Sequence, residues 1–366
     1  MLITPPLHCS VIFFYTQYML TLSDASYDTK EILKWGGLFI ASFVIILSLV
    51  LFIKQTFFPT PPPKPTVAFG KLTPQLFPEN AISKTPAAYT INTVSGALPA
   101  FPDQIKIYRM QANIPDLLNL SNAKQMVQKE NFTQNPDKTS DTLYTWTDLA
   151  DSDNAGLSSK ITVDIVNDNF NLTSDYLNNP MVISGRGLQP AAQSITAAQT
   201  FLTILNSFPS DIDQTKTQTE PLSVANGTLT TTTSLSSAQA IRVKFYQQDV
   251  NKLPIYYEKP GTSNIDIVVG PNDKILEADY VHQTVTDQFA TYPLKSTAQA
   301  FADLKQGYAY IASYQGTSTD ISINNVILAY YIGSQPQDYL MPVFVFEGND
   351  NFIAYVPAVT DEWINK

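Results

Sequence analysis

Ser121 and Lys124 lie in Ser121-Asn122-Ala123-Lys124, the S-x-x-K spacing that sets an ammonium one helical turn from a hydroxyl and can activate it as a nucleophile. Ser152-Asp153-Asn154 matches the S-D-N fragment that accompanies such a serine, but the third element, K-T-G, is absent. Ser121 also reads as the N-cap of a helix, which accounts for it without chemistry. Asp148, Asp151 and Asp153 in DLADSDNAG offer hard oxygen ligands for calcium. Ala155, however, occupies the third ligand position and Thr162 the place of the closing glutamate, so a polar turn between strands is the simpler account. His282 is the only histidine past the N-terminal apolar block, which excludes multi-histidine metal sites. Arg186, framed by glycines in Ser184-Gly185-Arg186-Gly187, could hold an anion, but a glycine-framed arginine between two units more often belongs to a linker. No residue is therefore assigned a catalytic, cofactor-binding or metal-ligating role, and the chain is expected not to be an enzyme.

Tyrosine is the other residue type with binding potential. Tyr256, Tyr257, Tyr308, Tyr310, Tyr314, Tyr330, Tyr331 and Tyr339 could form an aromatic platform for wall glycan. Cross-strand aromatic pairing inside a sheet is the competing and favoured account. The sequons at Asn119, Asn131, Asn171 and Asn226 are expected by chance in a chain this rich in Asn and Thr.

Composition narrows the setting. Charged residues are only 15% of the chain, and the shortfall is filled by neutral polar side chains, which suits a bacterial cell exterior or wall. A net charge of −10 and the absence of any Lys/Arg cluster argue against nucleic acid, whose phosphates need a basic field. Cys9 is the single cysteine, so everything after it lacks disulfides and thiolate-bound metal.

The uncharged block Trp35 to Ile53 lies between Lys34 and Lys54 and has the length of one bilayer crossing. It resembles an uncleaved signal anchor, since no small-residue cleavage site follows it. Residues 10–22 are apolar but too short to span; Met19 is expected to be the translation start. Lysines flank the block on both sides, so charge bias does not set its orientation. The thiol-free, weakly charged remainder is placed outside the cytoplasm. Pro59 to Pro65 forms a stiff proline-rich spacer. Gly36-Gly37 lacks the small-xxx-small spacing of a span dimer.

Beyond the spacer, a helix followed by strands recurs three times. Helices are expected over residues 121–131, 194–208 and 296–306, the second stopped by Pro209. In KITVDIV, Ile161, Val163 and Ile165 alternate with polar residues, the period of a half-buried strand. Further strands read AIRVKFYQQ, LPIYYEK, NIDIVVG, KILEADYV, ILAYYIG, MPVFVFEG and NFIAYVPAV. Pro254 and Pro342 are each expected at the start of a strand. The class is α+β, with antiparallel meanders and a helix on one face. The divisions are a tail over 1–34, the span over 35–53, a stalk over 54–66, and three α+β units over 67–187, 188–286 and 287–366.

VKFYQQDVNKLPIYY and VILAYYIGSQPQDYLMPVFVFEGNDNFIAYVPAV resemble the extracytoplasmic regulators YycH and YycI of Gram-positive bacteria, mainly across residues 194–366. That resemblance implies single-pass anchoring, PepSY-like units and restraint of a membrane histidine kinase by binding. The expected partners are thus the lipid bilayer through residues 35–53 and an envelope protein. A wall polymer is the second partner class, and an envelope enzyme or protease inhibitor the remaining alternative.

Overall fold

A computed structural model describes residues 22–57, 63–79, 88–148 and 157–365. Cys9, Met19, Pro59 to Pro62, Asp151 and Ser152-Asp153-Asn154 lie outside the described residues. Residues 1–64 form one unit and residues 65–366 another.

The first unit carries helix α1 (Leu22–Phe57). Its stretch Leu33–Ile53 has a mean hydropathy of 2.7 and is long and apolar enough to cross a membrane. Two hydroxyls within it are satisfied internally: Ser42 Oγ donates to the Leu38 carbonyl at 2.8 Å and Ser48 Oγ to that of Val44 at 2.7 Å. That back-bonding is what a polar side chain requires where water is scarce.

The second unit is α+β, two sheets with few helices. Along the chain come β1 (Ala88–Ile91), β2 (Gln104–Met110), α2 (Asn119–Gln128), β3 (Asp137–Lys138), β4 (Leu143–Asp148), β5 (Ser159–Asp164) and β6 (Phe170–Ser174). Next are α3 (Pro180–Ser184), α4 (Ala191–Ile204), β7 (Gln218–Ala225), β8 (Thr228–Thr231), β9 (Ala240–Phe245), β10 (Ile255–Tyr257), β11 (Ile265–Val269) and β12 (Ile275–Tyr280). The chain closes with β13 (Val285–Pro293), α5 (Thr297–Gln306), β14 (Tyr310–Ser313), β15 (Asp320–Ile332), β16 (Tyr339–Gly348) and β17 (Ile353–Pro357).

Nine strands form one sheet in the order β3-β4-β5-β6-β12-β11-β9-β7-β8. The expected alternation holds: Ile161 and Val163 are buried beside exposed Lys160, and Ile241, Val243 and Phe245 beside half-buried Arg242 and Lys244. The buried face packs with Ala123 and Val127 of α2 and with Ala198, Phe201 and Leu202 of α4. The 187/188 division runs through this sheet, because β6 pairs with β12, Leu172 opposite Ala278, and Phe170 stacks on Tyr280 at 4.9 Å. Separate meanders would leave both strands as bare edges, and pairing removes them.

The polar face of this sheet carries a charged row. Arg242 Nε lies 3.1 Å from Asp266 Oδ1, and Lys244 Nζ 3.2 Å from Glu220 Oε2. Burial pushes the Asp266 carboxyl up to about 6, against the pull of Arg242 and Lys244 and with help from Asp279. A folded value above the unfolded one makes its stabilising contribution complete below the unfolded value, about 4, and lost as pH rises through 6. Asp266→Asn should flatten the stability profile by about 2 kcal/mol between pH 4 and 7, read as the difference from the parent in urea melts. A profile parallel to the parent's would show that Asp266 titrates normally.

The second sheet has β1-β15-β16-β17-β14 as its path, with β10 added to β15, and β2 joining β16 and β13. Strands from all three expected units meet here, so those units are interlocked. β10, from the second stretch, leaves its neighbours and pairs in parallel with β15, Ile255 opposite Tyr330. β1 also pairs with β15 in parallel, so this sheet is mixed. β13 crosses the expected 286/287 division and pairs with β2 of the first stretch. Pro342 sits inside β16, not at its start, opposite Tyr330. The Tyr330 N–H turns to the Pro254 carbonyl at 2.9 Å, so Tyr330 and Pro342 face each other as a non-hydrogen-bonded pair. On the β17 side the Pro342 carbonyl takes the Ala358 N–H at 3.1 Å, and the Ala358 carbonyl takes the Lys295 N–H at 2.8 Å.

Helix ends also move. α5 begins as expected, with a capping box in which Ser296 and Gln299 satisfy each other's backbone, and it ends at left-handed Gly307. α2, however, starts before Ser121, with Leu118 at the N-cap, where an Asx turn lets Asp116 Oδ1 take the Leu118 N–H at 3.1 Å. α4 starts at Ala191 with Pro190 as N-cap, and Ser194 is buried within the helix.

Candidate functional site

The residues singled out by type and spacing do not converge. Ser121 is exposed on α2 and has lost its capping role; Lys124 lies on the same helix. Asp148 ends β4. Gly185 is the left-handed cap of α3, and a Cβ on Gly187 would approach Asn272 Oδ1 to 2.7 Å, so the glycines around exposed Arg186 serve chain geometry. Among the eight tyrosines named above only Tyr308 is exposed, at 67%. Tyr330 and Tyr331 are fully buried, as is Tyr355, whose ring lies 5.7 Å from Tyr331 and 5.9 Å from Tyr310. Tyr257, Tyr310, Tyr330 and Tyr331 are thus buried sheet residues, as the favoured account has it, while Tyr256, Tyr314 and Tyr339 are half-buried.

The densest polar junction was not found from sequence. It joins the two sheets where β12 passes into β13. His282 Nε2 lies 2.9 Å from Asp211 Oδ1, and Gln247 Nε2 donates to Asp211 Oδ2 at 2.8 Å. Burial works to raise the Asp211 pKa, but the bonds from His282 and Gln247 outweigh it and hold it below its usual value. Gln247 N–H donates to the Tyr257 hydroxyl at 3.1 Å, and Gln283 and Gln337 exchange bonds nearby. Clefts of 510 and 490 Å³ flank the histidine. Among the described residues no serine, threonine or cysteine is hydrogen-bonded to the imidazole, so the pair ties elements together and no nucleophile is aligned on it.

A third cleft, of 620 Å³, is built by the segment that follows the proline-rich stretch. Residues 66–78 lie as a strap on the second sheet. Val67 N–H donates to the Thr291 carbonyl at 3.0 Å, and the Tyr292 hydroxyl donates to the Gly70 carbonyl at 2.8 Å. Fully buried Leu72 is bridged to Ile364, with its N–H on the Trp363 carbonyl at 2.8 Å and its carbonyl taking the Asn365 N–H at 2.9 Å. The Phe77 ring then stacks 5.5 Å from Tyr310 and 4.9 Å from Tyr331. The hydrophobic spacing of Phe69, Leu72 and Phe77 was the available signal for this strap.

The cleft lies between the strap, the end of α5 and β14, with Tyr310, Met341 and Phe77 in its apolar lining. Lys295 Nζ donates to Asp303 Oδ2 at 2.8 Å and to Asp361 Oδ1 at 2.7 Å. Burial would lower the Lys295 pKa, but the two carboxylates outweigh it and hold the ammonium charged. No group of three or more metal-ligating side chains occurs among the described residues.

No family model matches the sequence, and no curated protein matches it. Among solved structures, the chain is similar to an uncharacterised protein from Eubacterium rectale at 11% identity, over 77% of this chain and 92% of that one, with a TM-score of 0.35. It is also similar to the YpeB C-terminal domain of Bacillus megaterium at 12% identity, over 68% of this chain and 95% of that one, with a TM-score of 0.29.

Proposed function

We propose that the chain is an envelope protein anchored by residues 35–53, with its large domain outside the cytoplasm, acting by binding another envelope protein and not by catalysis. The observation that carries this is the apolar cleft beneath the strap, a concave surface with room for large side chains of a partner. A membrane sensor kinase is the proposed partner, on the resemblance of residues 194–366 to YycH and YycI. The burial of Tyr257, Tyr310, Tyr330 and Tyr331 leaves few of the tyrosines on which a wall-glycan platform would be built.

In-cell crosslinking of the full chain followed by mass spectrometry tests the proposal. Recovery of a membrane protein, with a histidine kinase enriched, is expected. Recovery of wall fragments alone would overturn it.

A further inference from the structure

The cleft beneath the strap has a lining that is apolar in its larger part and includes the carboxylates of Asp303 and Asp361. Asp303 and Asp361 share the single ammonium of Lys295, so carboxylates outnumber cations there. Each aspartate bonds Lys295 through one oxygen, and Asp361 is 84% exposed on its side chain. An exposed carboxylate beside an apolar cleft favours a cation arriving on an apolar scaffold and repels an anionic one. The volume, 620 Å³, lies in the usual range of ligand pockets, about 300–1,000 Å³. Exposed Tyr308 stands at the rim, where an aromatic face adds attraction for a desolvated cation.

We infer that the cleft takes an extended peptide segment of the partner in which an apolar or aromatic side chain is followed closely by Lys or Arg. The apolar residue fills the space lined by Phe77, Tyr310 and Met341, and the cation meets Asp361. This rests on the protein-binding function proposed above and specifies the chemistry of the bound segment. An acidic or phosphorylated segment is disfavoured by the same rim.

The test is affinity selection of random heptapeptides displayed on phage against the full chain in detergent, alongside Asp361→Lys. Asp361 is exposed, so the variant is expected to fold, which a thermal melt verifies. The parent should enrich peptides with Lys or Arg next to an apolar or aromatic residue by about tenfold, and Asp361→Lys should reverse the charge preference toward Asp or Glu. Tyr308→Ala should weaken the parent's preference for the basic residue. No enrichment, or the same basic preference in Asp361→Lys, would overturn the inference. Basic-apolar peptides selected here while cells yield only wall fragments would refute the envelope-protein function and leave the cleft's chemistry standing.

Discussion

Tyr355→Ala is expected to destabilise the large domain by about 3–5 kcal/mol, the largest effect of any single substitution proposed for it. Tyr355 is fully buried on β17, opposite Val345 of β16 and Tyr310 of β14. Its ring meets Tyr256, Tyr310 and Tyr331 within 5.9 Å, so truncation leaves a void at the centre of an aromatic cluster. Its hydroxyl donates to the Tyr257 carbonyl at 3.0 Å, which also orphans a buried acceptor on β10. Tyr355→Phe keeps the ring and should cost only about 1 kcal/mol. Urea unfolding followed by tyrosine and tryptophan fluorescence measures both. An alanine variant as stable as the parent would mean that these tyrosines are not core.

Leu72→Ala is the second large effect, about 2–4 kcal/mol, and it reports on the strap. Leu72 is fully buried with Ile107, Tyr292 and Val359, although it precedes the first strand and lies close to the proline-rich stretch. Its own backbone bonds to residues 363 and 365 survive truncation, so the loss is packing against the sheet. Limited proteolysis should then cut the strap faster than in the parent. Leu76→Ala, at an exposed strap position, should change stability by less than about 0.5 kcal/mol. Equal effects at the two positions would contradict a strap held at Leu72.

The elements that were legible are those whose signal is local. The apolar block announces the apolar stretch of α1, the alternation in KITVDIV and AIRVKF announces β5 and β9, and Ser296, Gln299 and Gly307 bracket α5. β2 and β13 went unrecognised because Arg109 and Asp287 interrupt their alternation, and each is defined by a partner about 180 residues away. The similar strands LPIYYEK and MPVFVFEG fall in separate expected helix-and-strand units, whereas β10 and β16 flank β15 on its two sides in one sheet. Sequence similarity between two strands carries no information about which strand each will pair with. The cleft was illegible for the same reason: β14–β17 pairing brings Tyr310 near Asp361, and the strap adds Phe77 from more than 200 residues away.

The central claim is that this cleft is where a membrane protein partner docks. Site-specific photo-crosslinking in cells tests it most directly, with the crosslinking side chain placed at Tyr308 on the cleft rim or at exposed Thr230 on β8 of the other sheet. The account predicts a discrete adduct with a membrane protein from position 308, lost in Asp361→Lys, and none from position 230. An adduct from position 230 that exceeds the one from 308, or a 308 adduct indifferent to Asp361, would contradict it.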